Sequence, residues 1–194
     1  MKAHGFSLLL ACSVVFPSSC YIYFTSPPFT SSEMRMDEDL LGTWERAPES
    51  PRDFSAKYRF TRRSGTVMDV WGESDNFLAV TCRVGAARYL MVWDPDDKVT
   101  DAPKEFPGPY YTIIPYTVTG DRFTFRVFDL KKFGKLFQEK KLKGFSSGGG
   151  QWTPPSLYVT SPPSEARKAI EEKGFDYYYI AGEGEWSYRR VKEN

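Results

Sequence analysis

Histidine is nearly missing from this chain. One occurs among 194 residues, His4, inside an apolar N-terminal stretch. From residue 21 onward no imidazole is available, which excludes Ser/His/Asp and Cys/His catalysis and any His-ligated zinc or iron site. Charge imbalance is lacking too, since 26 basic residues face 25 acidic ones for a net charge of +1. Without an overall field to draw polyanions, nucleic acid is not expected as a partner. "SGGGQ" around Gly148 has neither the spacing nor the lysine of a phosphate loop, and the stretch "FSSGGGQWTPPS" from Phe145 that contains it reads as a flexible loop. "DPDDKVTD", Asp94 to Asp101, suggests calcium, but Lys98 takes the fifth position, where an EF-hand loop needs an oxygen ligand. Val99 takes the sixth, where that loop needs glycine, so a turn begun by Asp94 and Pro95 accounts for the stretch better. We therefore expect no metal, no cofactor and no catalytic residue.

Cysteine is scarce as well: Cys12, Cys20 and Cys82 are the three present. Two of them bear on the N-terminus. Lys2 supplies a positive start, Gly5 to Phe16 an apolar run, and Ser18 and Ser19 small residues before Cys20. Pro17 and the serines stop the run short of the roughly 20 residues of a membrane span, so residues 1–20 read as an export signal. The segment resembles bacterial lipoprotein precursors, in which the cysteine ending the lipobox is acylated and becomes the first mature residue. That resemblance implies lipidation at Cys20, with a membrane as partner through the lipid anchor and the bacterial cell envelope as location. Pro17 stands where such motifs carry leucine, and "LLAC" ending at Cys12 is a closer local match with too short an apolar segment before it. Ordinary cleavage without a lipid is the third alternative. Residues 21–39, rich in Ser, Thr and Pro, read as a flexible tether, with the folded domain over 40–194. Removal of Cys12 and acylation of Cys20 leave Cys82 alone, so no intramolecular disulfide is expected and Cys82 reads as a buried, inert thiol.

What the chain has in quantity is aromatic residues and short alternating runs. "LGTWERA", "AKYRFTR", "TVMDVWG", "FLAVTCRV" and "ARYLMVWD" follow one another at hairpin spacing. "YYTIIPYTVTG" and "RFTFRVFD" make a further hairpin turning at Gly120 and Asp121, with Pro115 marking an edge, a bulge or a strand start. Final strands are expected at "FDYYYIA" and "EWSYRRV". Two helices interrupt the pattern. "DLKKFGKLFQEKKLKG" places Leu130, Phe133, Leu136 and Phe137 at helical spacing, with Gly144 as a stop. "SPPSEARKAIEEKG" offers Ser161 or Ser164 as cap, an apolar stripe at Ala166, Ala169 and Ile170, and Gly174 as its end. The lysine-rich helix could lie on anionic lipid with Phe133 and Phe137 inserted, or pack on its own sheet with the lysines in water. The fold class expected is mainly β: an antiparallel meander forming a barrel or strongly curved sheet, with two short helices late in the chain.

The opening "LGTWER", then "YRFTRRSGTV" and "YYTIIPYTVTGDRFTFRVFD", resemble the lipocalin-like β-domains of bacterial envelope lipoproteins. That resemblance implies that Gly42 and Trp44 close the bottom of the barrel. The two helices and the Pro-rich passage from Asp94 to Pro109 depart from the one-helix lipocalin plan. Tyr58, Phe60, Tyr116, Phe123 and Phe125 are the expected lining of an apolar ligand site. The function expected is a non-catalytic, tethered binding or interaction module for an apolar ligand or an envelope protein. A structural or assembly lipoprotein without a ligand site is the first alternative. A carboxylate-dependent hydrolase using Glu183, Glu185 or the Asp94 cluster is the second.

Overall fold

The computed structural model describes residues 22–46, 57–73, 76–95, 109–147, 156–180 and 185–192. Eight strands close into an antiparallel barrel: β2 (Gly42–Glu45), β3 (Lys57–Ser64), β4 (Val67–Trp71), β5 (Asn76–Val84), β6 (Ala87–Trp93), β7 (Thr112–Thr119), β8 (Arg122–Arg126) and β11 (Glu185–Arg190). β2 to β8 run as a meander, and β11 pairs with both β8 and β2 to close the ring. Alternation decides which side chains point inward. Tyr58 and Phe60, Met68 and Val70, Leu90 and Val92, Ile114 and Tyr116, and Phe123 and Phe125 are period-2 pairs that meet in one buried cluster. At one end the hairpins are tight, with Gly65, Gly85 and Gly120 supplying the positive φ their turns require. Pro115 falls one residue before the β7–β8 ladder, which begins at Tyr116↔Phe125.

A second layer covers one wall of the barrel. It consists of β1 (Ile22–Phe24), β9 (Gly144–Ser147) and β10 (Ser156–Val159), in the order β1-β10-β9, with helices α1 (Leu130–Gln138) and α2 (Pro163–Glu171) and a 3-10 turn at Phe175–Tyr178. Beneath it, β5, β6 and β7 are buried on both faces. Val80, Cys82, Tyr89, Met91 and Ile113 point outward from the barrel and pack with Phe24, Phe133 and Ile170. The opposite wall alternates charged and buried residues, as in Lys57–Tyr58–Arg59–Phe60, and faces solvent.

Several expectations are corrected. The proposed tether is part of the fold: β1 pairs in parallel with β10, and Ile22 and Phe24 are fully buried. Apolar side chains in a Ser/Pro-rich setting found a sheet that the local sequence does not announce. Phe145 to Ser147, read as loop, belong to β9, and within "FDYYYIA" Phe175–Tyr178 form a 3-10 turn while Tyr179 makes an isolated bridge to Phe128, in place of the expected strand. At α2 neither serine caps. Pro162 holds the N-cap position, and the Ser161 hydroxyl accepts from the Lys143 amide at 2.7 Å. At α1 the Asp129 carboxylate caps by accepting from the Lys131 and Lys132 amides. Gly144 opens β9 and does not end the helix. Cys12, Cys20, the export segment, Gly148, and most of the Asp94 to Pro109 passage lie outside the described residues.

Candidate functional site

The hairpin end of the barrel is sealed from within the chain. Residues 34–41 cross it: the Arg35 amide donates to the Thr81 carbonyl at 2.9 Å, and Leu40 is fully buried. Trp44 is also fully buried, and its indole Nε1 donates to the Leu40 carbonyl at 2.8 Å. The Arg190 guanidinium lies 4.2 Å from the centre of the Trp44 ring and donates to the Leu41 and Asp39 carbonyls. A buried polar triad completes the seal. Asp37 accepts from the Tyr116 hydroxyl at 2.6 Å and from Arg88 Nη1 at 3.0 Å. Burial, then the hydrogen bond to the Asp37 carboxylate, holds the Tyr116 phenol far above its usual range.

The five aromatics singled out in the sequence do converge on the lumen, and each is at most 5% exposed. Phe123 lies within 6.0 Å of Trp44, Phe60, Tyr116, Phe125 and Tyr188, ring centre to ring centre, in tilted or edge-on geometry. The rings fill the space they enclose. Among the described residues the cavity they border, lined by Tyr58, Phe60, Phe123 and Phe125 together with Val92 and Ile114, measures about 20 Å³. That volume is on the scale of one water, since a water needs at least about 10 to 15 Å³, whereas ligand pockets run from about 300 Å³ upward. Tyr116 is not at this void; its hydroxyl is committed to Asp37. The Tyr188 hydroxyl, buried behind Phe125, has no hydrogen-bond partner among the described residues. Burial pushes its phenol up to about 12, and Arg46 and then Tyr58 oppose that shift.

A larger cavity, of about 480 Å³, lies on the outer wall where β6, β7 and β8 meet the 3-10 turn. Pro115, Thr117, Thr124, Arg126, Asp176 and Glu185 line it among others. Arg126 Nη2 is 2.6 Å from Asp176 Oδ1, and Glu185 stands directly opposite Arg126 in the β8–β11 ladder. One cation between two carboxylates, flanked by threonine hydroxyls, offers both donors and acceptors to a polar partner. Of this set the sequence singled out Glu185 as a candidate acid and Pro115 as a strand irregularity; Tyr116, which also borders this cavity, was expected at the lumen. Asp176 was hidden in "FDYYYIA", and no local signal brings it to an arginine fifty residues earlier.

The acidic candidates are dispersed among the described residues. Glu185 begins β11 and Asp94 follows β6, and both are exposed. Two strands stand between β6 and β11 in the ring, and Glu185 lies level with Tyr89, five residues short of Asp94, so three interstrand spacings of about 4.8 Å and five residues of about 3.3 Å put them roughly 20 Å apart. Glu183 lies outside the described residues. Cys82 is fully buried and unpaired, and burial, then the Glu33 carboxylate, pushes its thiol up to about 12. No protein-family model, curated protein or solved structure matches this chain. Fold and site together define an eight-stranded antiparallel barrel of lipocalin-like form, sealed at one end and packed solid with aromatic rings.

Proposed function

We propose that the protein is a non-catalytic interaction module of the bacterial cell envelope, acylated at Cys20 and engaging an envelope partner through the outer wall of its barrel. The observation that carries this reading is the contrast between the two cavities: about 20 Å³ inside the barrel and about 480 Å³ on its wall, with an Arg126–Asp176 pair in the larger one. The lipobox-like segment supports the tether, and the absence of histidine after His4 supports a role without acid–base chemistry. Mass spectrometry of protein extracted from envelopes tests the anchor. Acyl chains on Cys20 are expected, and Cys20→Ala should release the protein to the soluble fraction. An unmodified, intact N-terminus recovered from the cell interior overturns the reading.

Storage of an apolar ligand in the lumen is the second reading, favoured by the wholly apolar setting of the small void between Tyr58, Phe60, Phe123 and Phe125. It requires rings to swing aside on binding. Titration of the protein with a fluorescent apolar probe separates the two: saturable binding lost in Phe125→Asp supports the lumen, and a flat titration supports the wall.

A further inference from the structure

We propose that the lysine face of α1 docks the protein onto an anionic phospholipid bilayer. From Asp129 to Lys143 the sequence holds six lysines and two acids, a net of +4 in a molecule whose total is +1, so the remainder carries −3. Three of the six are paired: Lys132 with Asp129, Lys141 with Glu139 and Glu172, and Lys143 with Glu165. Lys131, Lys135 and Lys140 are exposed and make no ion pair among the described residues. Lys131 and Lys135 stand one turn apart on the same face of α1.

The opposite face of the helix is already used. Phe133 and Leu136 are buried in the second layer, so α1 has no apolar stripe to insert, and its contact with a membrane is electrostatic and peripheral. Its place in the fold brings it to the right surface. Phe133 packs edge-on against Phe24 of β1 at 6.1 Å, two residues after Ile22, where the described chain begins. Cys20 stands two residues before Ile22 in the sequence, so under the tethered reading an acyl chain there would keep a bilayer within reach of the layer that carries α1. The inference rests on the tethered reading only for this nearness; the attraction itself does not need the lipid.

The test uses unacylated full chain and two kinds of vesicle, phosphatidylcholine alone and phosphatidylcholine mixed with phosphatidylglycerol. The N-terminal apolar stretch contributes to binding of both, so their difference isolates charge. At low salt the anionic vesicles should bind about a hundredfold more tightly, from about fivefold for each of three lysines. The preference should vanish near 0.5 M salt, at roughly a Debye length of 4 Å. The double variant K131E/K135E should lose at least about 20-fold of it. The variant R122E/R189E, on the bare wall, should keep most of it. Equal binding to both vesicles, or loss of preference only in R122E/R189E, overturns the proposal. Either result leaves acylation at Cys20 to be judged separately by mass spectrometry.

Discussion

Gly42, Trp44 and Arg190 act as one device at the hairpin end. Gly42 has φ +119°, and a Cβ built there would stand 2.8 Å from Arg190 Nη1. Gly42→Ala should therefore cost about 2 kcal/mol, through backbone strain and displacement of Arg190. A thermal melt should show Tm lower by about 4 to 8 °C. Tyr188 offers the opposite case. Its hydroxyl is buried without a partner among the described residues, so Tyr188→Phe should leave stability unchanged or raise it by about 1 kcal/mol, read from the denaturant midpoint. The "GTW" stretch made two members of the first device visible in sequence through its resemblance. Arg190 was not visible, because it reaches Leu41 across 149 residues.

Among the elements, the two helices and the barrel hairpins were legible because each carries a local signal: an apolar stripe, an alternating run, a Gly turn. β1, β9 and β10 were not. Each spans three or four residues, too few to display a period, and Ile22 finds its partner Leu157 only after seven of the barrel's eight strands, β2 to β8, have been traversed. Double burial of β5 and β6 was written in "LAVTC" and "YLMVW", near-continuous apolar runs that half-exposed strands do not carry. What those runs do not say is which element covers them.

The N-terminal segment is clasped to α2 by Arg167, which donates to Glu33 at 3.0 Å and to the Pro28 carbonyl at 3.2 Å. Desolvation pushes the Glu33 carboxyl up, but the Thr30 amide and hydroxyl and the Arg167 charge together outweigh it and hold the carboxyl below its usual 4.5. A depressed carboxylate stabilises the fold above its unfolded value and loses that contribution as pH falls below 4.5 through the folded value. Comparing denaturant unfolding at neutral and acid pH should show the wild type losing more stability than Glu33→Gln. Equal losses in both would assign the acid sensitivity elsewhere.

For the molecule as a whole, the packed lumen predicts a gain of function by subtraction. Phe125→Ala removes a ring from the border of the 20 Å³ void, so it should cost about 3 to 5 kcal/mol and admit an apolar probe. A second prediction concerns the boundary at residue 40 expected from sequence. A chain beginning there loses Ile22, Phe24 and Phe29, at about 2 kcal/mol each for buried apolar side chains. The sum is about 6 kcal/mol, comparable to the whole stability of an ordinary domain. Such a chain should lack a cooperative unfolding transition by circular dichroism, whereas one beginning at residue 21 should retain it.

The ring is closed by its last strand. β11 alone joins β8 to β2, and β1 waits for β10, so every closing contact pairs the beginning of the chain with its end. A polypeptide emerging from the ribosome N-terminus first cannot join β1 until β10 is delivered, nor close the ring until β11 follows it. Until β11 arrives, β2 to β8 are an unjoined meander with an open edge at each end, the kind of edge that pairs with other chains.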